Sequence, residues 1–202
     1  RRYVDPKFAP AFEMECEALR GVAHEFGLDN LQLMVPFCRS PEEGAAVKEL
    51  LAENKLGKAD GVPLFIMVEL PSNVILAEQF IDAMELDGGS IGTNDLVQTV
   101  YAVSRDDLEG YLHPVDARSP AVKQMVRKAI EQFTTLGLEI GICGQAPSDH
   151  PESFPPFLID CGITSISVTP DTAIQVRLAV QAAEEAVDMG YDGMDIVIEA
   201  EE

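Results

Sequence analysis

Five short runs that read as β-strands, LQLMVPF (31–37), PLFIMVEL (63–70), DGGSIG (87–92), LEIGICG (138–144) and TSISV (164–168), alternate with longer segments carrying helix signals. This alternation constrains the fold more than any other feature of the chain. Strands apolar on both faces, each followed by a helix, belong to parallel βα units rather than to an antiparallel sheet. The expected class is therefore α/β, with helices covering a parallel sheet.

The helical segments carry their own boundary signals. A first helix is expected near residues 6–26, closed by Gly27. Ser40 offers an N-cap, Pro41 fits the first helical position and Glu43 completes a capping box. NVILAEQFIDAM (73–84) reads as a further helix. Residues 119–136 give the clearest pattern: Val122, Met125, Val126, Ala129, Ile130 and Phe133 recur at three- and four-residue steps behind Ser119-Pro120, with Gly137 after them. A last helix is expected over about 171–187. Five βα units behind one leading helix fit either an open doubly wound sheet or the later part of an eight-stranded barrel, and periodicity does not separate the two.

At 202 residues, one domain or part of one is expected. The opening RRYVDPKFAP has neither an initiator methionine nor the order of a signal peptide, and it reads as an internal start. No apolar run approaches the roughly 18 residues that cross a bilayer. Thirty-five acidic against fourteen basic residues give a net charge of −21, which repels phosphate backbones and anionic lipid. Neither nucleic acid nor a membrane is an expected partner. The acids are spread along the chain, a pattern of hydration and solubility that also suits a salt-rich cell. Cys16, Cys38, Cys143 and Cys161 stand far apart with no CxxC pair, which favours a reducing cytoplasm over a disulfide framework or a zinc site.

In either architecture ligands gather beyond the carboxyl ends of the strands. In chain order those ends carry Arg39, Glu69, Thr93-Asn94-Asp95, Cys143 and Asp171. Glu69 closes an otherwise apolar strand, and Asp95 follows a glycine-containing turn that opens a helix. Two carboxylates on neighbouring strands suit one hard divalent cation that keeps its other positions for water and substrate oxygens, but a solvated loop acid and a helix N-terminal acid fit the same spacing. Asn94 is either a donor to a bound oxygen or a plain N-cap. Arg105, in SRDD, either pairs with its neighbouring acids or grips a carboxylate or phosphate, and Arg39 is open to the same two readings.

Cys143 lies between two glycines in GICGQAPSDH (141–150), where a small apolar filler would need neither. Glycines allow a substrate to come close, and a thiol there is a proton donor and acceptor or a nucleophile. His150, seven residues on, offers a Cys–His dyad, but no third orienting group or oxyanion hole accompanies it. Asp188, Asp192, Gly193 and Glu199 match four positions of a calcium loop, yet Gly190 fills a ligand position and Asp195 an apolar one. An acidic tail is the better reading.

Taken together, RRYVDPKFAPAFEMECEALR, VPFCRS, VELPSNVILAEQF, SIGTNDLVQ, SRDD, GICGQAPSDHPE and TPDT resemble the C-terminal part of the phosphoenolpyruvate synthase family. SIGTND and the glycine-flanked cysteine are shared with pyruvate phosphate dikinase and with enzyme I of the sugar phosphotransferase system, whereas GQAPSDH and the PSN after Glu69 look more like the synthase. The resemblance implies a phosphoenolpyruvate/pyruvate-binding (β/α)8 TIM barrel, of which residues 1–183 hold strands four to eight, followed by an acidic extension over 184–202. It implies that Glu69 and Asp95 bind magnesium, or manganese in its place, that Gly92, Thr93, Asn94 and Arg105 hold the substrate, and that Cys143 transfers a proton at the substrate's methyl or methylene carbon. The family converts ATP, pyruvate and water to AMP, phosphoenolpyruvate and phosphate through a phosphohistidine. Domains for the phosphohistidine and for ATP are absent from this chain, so alone it is expected to be inactive. The competing expectations are a magnesium-dependent carbon–carbon lyase on a related barrel and a non-catalytic split fragment. Five parallel strands leave two unpaired edges, which predicts a homo-oligomer, a rearrangement or a partner chain.

Overall fold

The computed structural model describes residues 3–104 and 115–189. Two units make up the chain, Arg1–Gly89 and Ser90–Glu202, with the boundary inside the third strand.

In the first unit, α1 (Ala9–Arg20) carries a proline in its first turn, where the missing N–H costs no hydrogen bond. It passes into a single π-helical turn, Gly21–Glu25, and the chain leaves the helix through Gly27 at φ +67°. The expected helix over 6–26 is thus present, shorter at its start and altered at its end. There follow β1 (Leu33–Val35), α2 (Pro41–Glu53), a 3-10 turn (Lys58–Asp60), β2 (Leu64–Val68), α3 (Pro71–Ile75), α4 (Ala77–Met84) and the opening of β3 (Gly88–Gly92). Ser40 caps α2 as expected, its Oγ accepting the N–H of Glu43 at 3.3 Å. The reciprocal contact reaches Arg39, whose N–H donates to the Glu43 carboxylate at 2.8 Å. The single helix expected over 73–84 is two helices broken at Leu76, just after the β-branched pair Val74 and Ile75, which propagates a helix poorly.

β1 and β2 pair in parallel, with Leu33 opposite Leu64 and Val35 opposite Ile66. Ile66 and Val68 of β2, Val47 and Leu51 of α2, and Phe80 and Met84 of α4 are buried as this unit's core. Gly44 lets α2 come close to α4, since a Cβ there would stand 2.5 Å from the Met84 sulfur.

The second unit holds the rest of β3, then α5 (Thr93–Tyr101), α6 (Pro120–Thr135), β4 (Glu139–Cys143), α7 (Ala146–Asp149), α8 (Phe154–Asp160), β5 (Ser165–Ile166) and α9 (Ala173–Asp188). α6 buries Val122, Val126, Ala129, Ile130 and Phe133 as its periodicity predicts, and Gly137 ends it at φ +71°. β4 and β5 pair in parallel, Gly141 opposite Ser165 and Ile142 opposite Ile166. Strand order follows chain order in each unit, β1-β2-β3 in the first and β3-β4-β5 in the second. The α/β class of parallel strands and covering helices therefore stands.

Two helices were not expected. Pro147 of α7 and Pro155 and Pro156 of α8 occupy first-turn positions, where no backbone donor is needed, and Pro151 lies in the turn between the two helices. α9 continues through Asp188, so the proposed acidic extension begins inside a helix whose Ala183 is buried. Asp192, Gly193, Asp195 and Glu199 of the calcium-loop pattern lie outside the described residues. Among the described residues no helix is long and apolar enough to cross a membrane.

Candidate functional site

Glu69 follows β2 directly and is only 5% exposed, far from the solvated loop acid that its spacing also allowed. Its carboxylate accepts the N–H of Phe37 at 2.6 Å, and Phe37 holds the left-handed φ of +52°. Asn73, 1% exposed in α3, sits behind it. The Asn73 Oδ1 accepts the N–H groups of Glu69 at 3.3 Å and Leu70 at 3.0 Å, while its Nδ2 donates to the Cys38 carbonyl at 2.7 Å. The loops after β1 and β2 are thereby tied to each other. In front of the β1 end lies a cleft of 790 Å³ lined in part by Phe37, Cys38, Arg39 and Glu43. The Arg39 guanidinium stacks near the Phe37 ring, 5.9 Å from its centroid, and donates to the Phe37 carbonyl at 3.5 Å. Burial pushes the Cys38 thiol up to about 11.

In the second unit the turn after β3 meets the end of β4. Gly92, buried, is the N-cap of α5, so Asn94 lies inside the helix and is not its cap. Thr93, 1% exposed, donates its hydroxyl to the Cys143 carbonyl at 3.3 Å. Gly144 follows at φ +115°, and a Cβ there would overlap Thr93 Oγ1. Only glycine permits this approach of turn and strand end. Asp95, in the first turn of α5, accepts from the Gln98 amide at 3.0 Å. Cys143 is half-buried as the last residue of β4. A smaller cleft of 170 Å³ opens beside these residues, lined in part by Thr93, Asn94, Asp116, Gln145, Asp149 and His150.

His150 Nε2 stands 4.0 Å from the Asp116 carboxylate. Burial alone would raise Asp116, but two side-chain hydrogen bonds from Arg118, its backbone N–H and its charge, with His150 adding to them, hold this carboxyl below its usual range. The Ser148 hydroxyl accepts the N–H of Thr169 at 2.9 Å, tying the loop after β4 to the loop after β5. Asp171, exposed at the start of the α9 turn, is also held low by the Thr169 hydroxyl. Arg105 lies outside the described residues.

The donor set suits a hard cation in kind, since carboxylates at strand ends are oxygen ligands. Among the described residues no group of three or more His, Cys, Asp or Glu comes together as a metal cluster.

Residues 1–185 match the family model for the PEP-binding domain of PEP-utilising enzymes. The chain belongs to this family. As a PEP-utilising enzyme domain it is 46% identical over 188 residues to the phosphoenolpyruvate synthase of Synechocystis sp., covering 92% of this chain and 22% of that protein. It is 47% identical over 185 residues to the phosphoenolpyruvate synthase of Helicobacter pylori, again 22% of that protein, and 44% over 180 residues to that of Aquifex aeolicus, 21% of it. The PEP-utilising domain thus spans about a fifth of the length of these relatives. Among solved structures, an HpcH/HpaI aldolase/citrate lyase family protein of Burkholderia cenocepacia superposes with a TM-score of 0.50 at 19% identity, over 85% of this chain and 70% of that one. That likeness concerns the fold, of the TIM-barrel type, with which a partial barrel agrees.

Sequence reasoning singled out Glu69, Gly92, Thr93, Asn94, Asp95 and Cys143, and each is found at a strand end or in the turn beyond it. The strand-end pattern marks neither Asn73 nor Ser148. The glycines around Cys143, expected to let a substrate come close, instead make room for side chains of the chain itself, Gly141 for the Ser165 hydroxyl and Gly144 for Thr93 Oγ1. An Asn three residues into a strand-to-helix turn was the available signal for Asn73.

Proposed function

We propose that this chain is the pyruvate and phosphoenolpyruvate site of a phosphoenolpyruvate synthase, acting with ATP-binding and phosphohistidine-bearing segments that lie outside residues 1–202. The observation that carries the reading is the Thr93 hydroxyl bond to the Cys143 carbonyl, which joins the SIGTND turn to the glycine-flanked thiol in one unit. The family membership and the 40–47% identity to synthases support it.

Gly92, Thr93 and Asn94 hold the substrate at the head of α5, where backbone N–H groups favour a carboxylate. Arg105 grips its anionic group. Cys143 Sγ takes a proton from the methyl carbon of pyruvate in the direction of phosphoenolpyruvate, leaving the electron pair in the enolate, and returns a proton to the methylene carbon in reverse. The enolate oxygen then attacks the phosphorus of the phosphohistidine, and the histidine nitrogen leaves. Glu69 and Asp95 would each offer a carboxylate oxygen to magnesium or manganese. When bound, that ion stabilises the negative charge of the enolate oxygen.

The four cysteines are all outside disulfides, which supports a reducing cytoplasm. Among the described residues the outer edges of β1 and β5 have no neighbouring strand, which supports association with a second copy or a further chain segment.

Calorimetric titration with oxalate, a planar mimic of enolpyruvate, tests the site. The full chain is expected to bind oxalate only with magnesium present, and Glu69→Gln and Asp95→Asn to abolish that dependence. Magnesium-independent binding, or variants that behave as the parent does, would overturn the reading.

A further inference from the structure

Glu69 is buried on a strand end, and a buried carboxylate keeps one orientation only if its surroundings impose it. Its side chain has the Phe37 N–H on one oxygen. Its backbone N–H is held by Asn73 Oδ1, which also takes the next N–H, that of Leu70. Both of these donors lie where β2 has ended and α3 has just begun. The other end of the same amide donates to the Cys38 carbonyl, one residue beyond Phe37. One side chain therefore fixes the backbone of Glu69 and also the loop whose N–H pins the Glu69 carboxylate. Phe37 stays at φ +52°, unusual for an aromatic residue, inside this closed circuit.

We infer that Asn73 is a positioning residue that orients the Glu69 carboxylate through the Cys38–Phe37 loop. The circuit lies entirely within the first unit. An amide is needed, because an isosteric carboxylate would accept the Glu69 and Leu70 N–H groups and set a negative oxygen against the Cys38 carbonyl. Asn73→Asp thus cuts one link selectively. Asn73→Ser, shorter by two heavy atoms, removes the same link without adding charge. Leu51→Ala, in the core of the same unit but outside the circuit, is the control for general loss of stability.

The metal arm of the test rests on the proposed role of Glu69, and the exchange arm does not. Amide hydrogen exchange at Phe37 is expected to quicken about tenfold or more in Asn73→Asp and Asn73→Ser relative to Leu51→Ala matched for melting temperature. Mn2+ affinity, read by electron paramagnetic resonance on the full chain, is expected to weaken about 10- to 100-fold in both Asn73 variants and to hold in Leu51→Ala. Phe37 exchange no faster than in Leu51→Ala would overturn the inference whatever the metal does. If exchange quickens but the parent and Glu69→Gln bind Mn2+ alike, Asn73 remains the positioning residue and the metal reading of Glu69 falls.

Discussion

At the end of β2 the first unit steadies its loop with buried hydrogen bonds, one asparagine serving two N–H groups and one carbonyl. At the end of β4 the second unit relies on a missing side chain, Gly144 at φ +115° leaving room for Thr93. The first arrangement is directional and fails when a donor or acceptor changes. The second is steric and fails when volume is added. The two strand ends also differ in exposure: Glu69 is nearly enclosed, whereas Cys143 is half-buried. The proposed roles fit that difference: a carboxylate that orients a cation gains from enclosure, while a thiol that exchanges a proton with a substrate carbon needs access.

The steric arrangement should break hardest. Gly144→Ala adds a Cβ against Thr93 Oγ1 at a backbone angle that disfavours any side chain, a combined cost of about 4 kcal/mol. Urea unfolding is expected to show a lower midpoint at unchanged slope. The double variant Gly144→Ala/Thr93→Ala sharpens the point: with Oγ1 gone, its loss should be smaller than the sum of the single losses, and a strictly additive result would refute the contact as the cause. Thr93→Val keeps the volume and removes only the hydroxyl bond to the Cys143 carbonyl, so a loss of about 1 kcal/mol is expected in the same assay.

A separate effect, confined to alkaline solution, concerns pH. Burial raises the thiols of Cys38, in the first unit, and Cys161, in the second, to about 11. A free cysteine titrates near about 8.5. The folded state thus keeps its protons longer than the unfolded chain, and the contribution is whole below about pH 8.5 and declines as pH rises through about 11. Melting temperatures should drop between these limits less in Cys38→Ala/Cys161→Ala than in the parent, and thiolate absorbance should rise late for both residues.

β2, β3, β4 and the amphipathic α6 were legible because burial on both faces and a three-to-four-residue step leave direct marks in the sequence, whereas β1 and β5, with Met34 and Ser165 exposed, are shorter than the runs 31–37 and 164–168 that announced them. α7 and α8 were not, since prolines read locally as breakers say nothing of whether they fall in a first turn. Glu69, Thr93, Asn94, Asp95 and Cys143 were legible as a set because they end runs that read as strands. Asn73 was hidden inside an expected helix: its partners Cys38 and Glu69 come from separate loops, and a contact spanning 35 residues leaves no spacing to read. The break at Leu76 was hidden for a related reason, as a helical period continues across a discontinuity that only backbone angles reveal.

Gly144 also bears on how such a sequence can drift. Any replacement of this glycine by another residue brings in a Cβ, or its proline equivalent, and every one of these meets the Thr93 hydroxyl. A smaller residue at 93 would lift the overlap with Oγ1 but leave the strain of φ +115°, so position 144 stays costly to replace whatever stands at 93.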